Sequence, residues 1–116
     1  MKREIKFRVY DSISKMIHTW WRVKKIGFLA FDLEHYTLMQ YTELKDKNGV
    51  EIYEGDIVSY IPSKKFIVFY QPGSFTAHRI KKDGSIQKGG NLLIQLTNLE
   101  VIGNIYENPE LLNKTT

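Results

Sequence analysis

The dipeptide Asn48-Gly49, set between extended segments in KDKNGVEIY, constrains this chain more than any other feature. Asn-Gly is the strongest short hairpin signal, because a type I′ turn needs two positive φ angles. Similar punctuation recurs downstream. DIVSYI reads as a strand ended by Pro62, which cannot donate to a ladder. KKFIVFYQ is a continuous apolar strand, PGSF a turn, TAHRIKK another extended piece, and Asp83-Gly84 a second tight turn. LLIQL and LEVIGNIY complete the strands, with Gly103 marking a bulge or a close backbone approach. Short strands at roughly 8–12-residue spacing indicate a small barrel or sandwich.

The N-terminal stretch has the same character. REIKFRVYD alternates, with Ile5, Phe7 and Val9 on one face and Lys6, Arg8 and Tyr10 on the other. DSISK supplies a turn, and MIHTWWRV reads as the partner strand of a hairpin. KKIGFLAFDLEHYTLMQY, with Phe28, Phe31 and Leu38, fits a strand or a short helix, and strand is the preferred reading. NPELLNKTT differs. Asn108 suits an N-cap, Pro109 the first helical position and Glu110 the positive end of the dipole, so a short terminal helix or helical turn is expected.

A chain of 116 residues fits one domain with one sizeable core. The absence of cysteine excludes disulfides, thiolate zinc sites and a cysteine nucleophile. No run approaches the roughly 18 apolar residues of a membrane helix, and MKREIKFRVYD lacks the apolar centre of a signal peptide. A cytosolic setting without membrane attachment is the expectation. The net charge of +4 is compatible with a polyanionic partner without requiring one.

The acidic stretch ELKDKNGVEIYEGDIVSY invites a metal or phosphate reading. An EF-hand loop needs alternating oxygen ligands, glycine at position six and a distal glutamate. Counting from Asp46 misplaces the glycine, and counting from Glu43 supplies the wrong ligands. A P-loop leads into a helix, whereas this stretch leads into a strand. His18, His35 and His78 lack ligand spacing, and in DLEH alternation turns His35 away from Asp32 and Glu34. No serine sits in a G-x-S-x-G elbow. No metal, cofactor or catalytic residue is therefore expected.

Two binding readings survive. Lys6, Arg8, Lys24, Lys25, Lys64, Lys65, Arg79, Lys81 and Lys82 are candidate nucleic-acid contacts, because small β-barrels bind single strands through basic grooves with stacking aromatics. The same residues also serve as a solvated sheet face. IVSYI and FIVFY carry apolar groups on both faces, more than so small a domain is expected to cover. Together with the adjacent Trp20 and Trp21, this makes Trp20, Trp21, Tyr60 and Phe69 candidate interface residues for self-association or a protein partner.

Three blocks carry a kinship signal. LMQYTELKDKNGVEIYEGDIV, LEVIGNIYENPELL and the opening REIKFRVYD together resemble the YopX family of phage and prophage proteins. Residues 62–98 match only loosely. Glu43 stands where the family's QYTGLKD form has glycine, which questions a special backbone angle there. The resemblance implies a mostly β protein with an SH3-like barrel element, encoded by phages or prophages and acting in the bacterial host cell. It supplies no activity and no site residues. The expected architecture is mainly β: an N-terminal hairpin region over 1–38, a small SH3-like barrel over 39–108 and a helical tail over 109–116. The expected role is that of a non-enzymatic accessory protein that binds a protein partner or itself, with nucleic-acid binding as the alternative.

Overall fold

The computed structural model describes residues 3–27, 30–31, 34–61 and 63–112. The fold is mainly β, with two antiparallel sheets, one of them curled into a half-barrel. The first sheet has the order β2-β1-β3-β4, from β1 (Phe7–Asp11), β2 (Met16–His18), β3 (Tyr36–Lys45) and β4 (Glu51–Tyr53). The second has the order β8-β7-β6-β5-β9, from β5 (Asp56–Ile61), β6 (Lys64–Gln71), β7 (Ser74–Ile80), β8 (Asn91–Leu92) and β9 (Glu100–Asn104). Residue 38 lies inside β3, whose first half pairs with β1 and whose second half pairs with β4.

Two expected elements are corrected. MIHTWWRV is not one strand: β2 stops at His18 and Trp20–Ile26 forms the helix α1. Thr19 is extended at the N-cap and Gly27, with φ 96°, ends the helix. Trp20 and Val23 are three apart and share one helical face. Val23 is fully buried, while Trp20 meets Phe7 edge-on at 6.1 Å. LLIQL is also not a strand; β8 gives way to a 3₁₀ turn over Leu93–Gln95, which inserts Leu93 into the core. The expected C-terminal helical turn forms, as a 3₁₀ turn over Pro109–Leu112. Asn108 Oδ1 accepts from the Asn104 amide at 3.1 Å, so this side chain holds the end of β9. Phe28, Asp32, Pro62 and residues 113–116 lie outside the described residues.

The hairpin expected at Asn48-Gly49 forms, with a different turn. Lys45 pairs with Glu51, the Gly49 amide donates to Asp46 O at 3.0 Å, and the Asp46 amide donates to Val50 O at 2.8 Å. Only Gly49 has a positive φ, 83°. This is a four-residue turn followed by a left-handed glycine, the usual three-residue hairpin loop, and not a type I′ turn. Gly55 makes the predicted bend into β5 at φ 82°, with Met39 Sδ 3.1 Å from where a Cβ would stand. Gly103 sits beside a break in the β5–β9 register and against Asn108, so both of its expected roles are realised.

The half-barrel is packed on both faces. Val58, Phe66, Val68 and Ala77 join Ile52, Leu93 and Leu99 in one cluster. Ile57, Ile67 and Ile80 form another, covered by Ile105, Leu111 and Leu112. Strands buried on both faces read as continuous apolar runs, which accounts for IVSYI and FIVFY. The chain itself covers Ile57, Val58, Ile67 and Val68, each contributing about 1.5–3 kcal/mol of burial. Tyr60 and Tyr70 stay exposed.

Candidate functional site

The acidic stretch that opens onto β5 holds the fold together. Asp46 Oδ1 accepts from the amides of Asn48 (2.8 Å) and Val50 (2.9 Å), and Oδ2 from the amide of Val101 (2.9 Å). One carboxylate therefore closes the hairpin and pins it to β9. Burial works against its charge, but the Val101, Val50 and Asn48 amides prevail and hold its pKa below the ordinary value. Glu54 Oε1 accepts from the Gln40 amide at 2.8 Å, tying the bend to β3. Asp56, at the start of β5, is 1% exposed, receives Arg8 Nη2 at 2.6 Å and accepts from the Tyr53 amide at 2.8 Å. Burial raises its pKa, opposed by Arg8 and the Tyr53 amide.

The histidines do not converge. His78 on β7 is buried, with Nδ1 3.1 Å from Gln87 O and Nε2 2.9 Å from Thr76 Oγ1. A carbonyl can only accept, so Nδ1 carries a proton and donates it to Gln87 O. His18 packs its ring near Phe31 and Tyr36, in the other sheet's neighbourhood. No group of three or more His, Asp or Glu among the described residues is arranged to hold a metal ion.

The basic candidates separate by position. Arg8 faces inward, and beyond Asp56 it donates to Glu54 O at 3.2 Å and stacks over the Tyr53 ring. Lys6 is held between Glu51 (2.5 Å) and Glu4 (3.1 Å), whose hydrogen bonds raise its pKa. Lys65 donates to Leu111 O at 2.8 Å and fastens the C-terminal turn. Lys24 and Lys25 lie over the Trp20 and Trp21 rings at 5.6 and 5.0 Å. Lys81 and Lys82 are exposed at the tip of a turn. Phe69 packs inward against the Ile57 cluster, with its ring edge-on to His78 at 5.2 Å.

Two concavities gather the rest. The first, a cleft of about 610 Å³, lies at the end of β5, β6 and β7 under the loop that leads through β8. Tyr60, Lys64, Phe66 and Arg79 form one side, and Gln87, Asn91 and Gln95 with Gly89-Gly90 the other. Phe66 pairs with Arg79 across the ladder, so both point to the same side. The second, a groove of about 500 Å³, runs beside α1 and is lined by Ile17, Trp20, Trp21, Val50 and Tyr53, with Lys6, Arg8, Glu51 and Glu107 at its margins. Burial and then Glu51 push the Tyr53 phenol up to about 12, so it is neutral at physiological pH.

The sequence singled out Tyr60, Lys64 and Arg79, which meet in the cleft, and Trp20, Trp21, Lys6 and Arg8, which meet at the groove. It missed Gln87, Asn91 and Gln95. For Gln87 and Asn91 the polar run SIQKGGN was the available signal, since its second glycine lets the loop close over His78; Gln95 lies outside it.

The family model described as YopX protein matches residues 6–113. The crystal structure of protein EF1440 from Enterococcus faecalis is similar, with a TM-score of 0.65 and 27% sequence identity over 97% of this chain and 100% of that one. No curated protein matches at a significant level.

Proposed function

The chain belongs to the YopX family, and on that premise we propose that it is a phage or prophage accessory protein acting by binding a protein partner, without catalysis. The phage setting is what the family resemblance implies, and so is the bacterial host cytoplasm. Among the described residues no helix is long and apolar enough to cross a membrane. A non-enzymatic role is supported by the use already made of the chemically capable groups: Asp46, Asp56 and His78 are engaged by intramolecular bonds.

The observation that carries the reading is Trp21, 68% exposed on the rim of the groove beside α1. Tryptophan over a partly apolar groove is typical of an interface anchor. The helix bears Arg22, Lys24 and Lys25 and no acid. Two copies meeting through it would bring like charges together, so the charge favours a partner whose contact segment is apolar with acidic margins.

Capture from infected cells tests this, with nuclease treatment to remove nucleic-acid bridging. The expected result is a partner retained by wild type and by Ile94→Ala, an exposed position elsewhere, and lost with Trp21→Ala and Lys25→Glu. Equal recovery by all variants would remove the groove as the docking site. A dimer in light scattering that Trp21→Ala dissociates would replace the outside partner with a second copy.

A further inference from the structure

We propose that the cleft between Tyr60, Lys64 and Arg79 and the 87–97 loop binds a nucleotide unit, with the base on Tyr60 and the phosphate between the two cations. The inference uses a different face from the groove beside α1 and does not depend on it.

The cleft is asymmetric in a way that suits this ligand. Its two charged residues, Lys64 and Arg79, are both cationic, and no carboxylate lines it. Neither forms an ion pair among the described residues, in contrast to Arg3, Lys6, Arg8 and Lys47. Arg79 Nε, like Arg8 Nε, is buried without a hydrogen-bond partner among the described residues. Arg8 meets Asp56 through Nη2, whereas the Arg79 guanidinium has no acceptor among the described residues, so its end that lines the cleft is where an outside anion would bind. An Arg fork with a nearby Lys matches phosphate oxygens.

A free phosphate would need only those cations. The aromatic floor calls for more. Phe66 is 7% exposed and Tyr60 is 43% exposed, their rings 6.3 Å apart and tilted by 37°. Tyr60 thus offers a π-face backed by a fixed ring, the platform on which an unstacked base sits. Opposite it, the Gln87, Asn91 and Gln95 amides present both donors and acceptors, as base edges require. A volume of about 610 Å³ is in the small-ligand range and holds one such unit with room for its neighbour. A duplex, with its bases stacked inside, cannot deliver a base to Tyr60.

The nucleotide can belong to a single strand or be free in solution, and the test separates these. A short fluorescein-labelled single strand, as DNA and as RNA, is titrated with the full chain and followed by anisotropy across a salt series. One phosphate held between the two cations predicts a slope of log K against log salt of about −0.7. Lys64→Gln and Arg79→Gln should each remove about half of that slope, and Tyr60→Ala should weaken binding at least about fivefold at every salt concentration. Lys81→Gln with Lys82→Gln, the same charge change outside the cleft, should leave affinity within about twofold. Tyr60 is exposed and Lys64 only half-buried, so they carry the test if Arg79→Gln unfolds. Competition by a mononucleotide as effective as by unlabelled strand assigns the site to free nucleotides, and competition by strand alone assigns it to single strands. The proposal fails if neither strand nor mononucleotide binds at low salt, if duplex binds as well as single strand, or if the Lys81/Lys82 variant loses as much as the cleft variants.

Discussion

Arg8 Nη2 reaches Asp56 Oδ1 at 2.6 Å and so joins the two sheets through a carboxylate that is 1% exposed. Arg8 projects from β1 of the first sheet and Asp56 opens β5 of the second. Each removes the penalty of burying the other, so the pair acts as a unit.

Arg8→Met leaves Asp56 buried without its cation and should cost about 3–5 kcal/mol at neutral pH. Burial already raises the Asp56 pKa, and losing Arg8 raises it further. The folded protein then binds the proton more tightly than the unfolded chain, so stability falls as pH rises from the ordinary carboxylate value through the folded one. The deficit should shrink as pH falls through the folded value and be smallest below the ordinary carboxylate value, where both states are protonated. Urea melts of both proteins across that window check this; a deficit independent of pH would mean that the loss comes from packing alone.

Asp46 has the opposite sign. Its folded pKa is lowered, so its contribution is complete above the ordinary carboxylate value and disappears as pH falls through the folded one. Asp46→Ala removes the acceptor of three amides and should cost about 2–4 kcal/mol at neutral pH. Amide exchange at Val101, which donates to Asp46 Oδ2, should accelerate more than exchange in β6.

Glu43 has φ 68° at the irregular point of the β3–β4 pairing. The special backbone angle that glycine would serve is therefore kept, and glutamate sits in it under strain. Glu43→Gly should stabilise the protein by about 0.5–1.5 kcal/mol. Glu43→Gln, which keeps the strain and removes the exposed Arg3 pair, should change stability by less than about 0.5 kcal/mol. Equal effects in thermal melts would show that the angle relaxes without cost.

A Cβ on Gly90 would stand 2.5 Å from His78 Nε2. That ring is hydrogen-bonded through both nitrogens and cannot swing away freely. Gly90→Ala should destabilise by about 1–3 kcal/mol and break the bond from Nδ1 to Gln87 O. Imidazole nitrogen shifts of His78 report the tautomer directly, while Gly89→Ala, with open space around it, should leave them in place.

Local signals carried most of the β architecture. Alternation in REIKFRVYD, the apolar runs of β5 and β6, and the glycine-bearing turns near residues 49, 73 and 84 each follow from a few neighbouring residues. The helix at Trp20–Ile26 was missed because tryptophan and valine favour strands by propensity, and the decision lay with the anchoring of Trp20 and Val23 against the first sheet. Both candidate sites were half legible. Their aromatic and cationic members stand out by type, whereas Gln87, Asn91 and Gln95 are ordinary polar residues until the loop folds them opposite Tyr60.

By itself, then, the sequence determined a chain of short strands and tight turns, because period-two alternation and left-handed turn positions are properties of neighbouring residues. It also carried the family likeness, in blocks near both ends. Tertiary structure alone decided the use of each charge. Nothing local distinguishes Arg8, enclosed with Asp56, from Arg79, open to a cleft; the difference is the dielectric and the partner that each strand meets on packing. The same holds for Asp46 and Asp56. The acidic stretch around Asn48-Gly49 has the composition of a ligand-binding loop, and distant amides at Val101 and a distant guanidinium at Arg8 make it the fastening between two sheets.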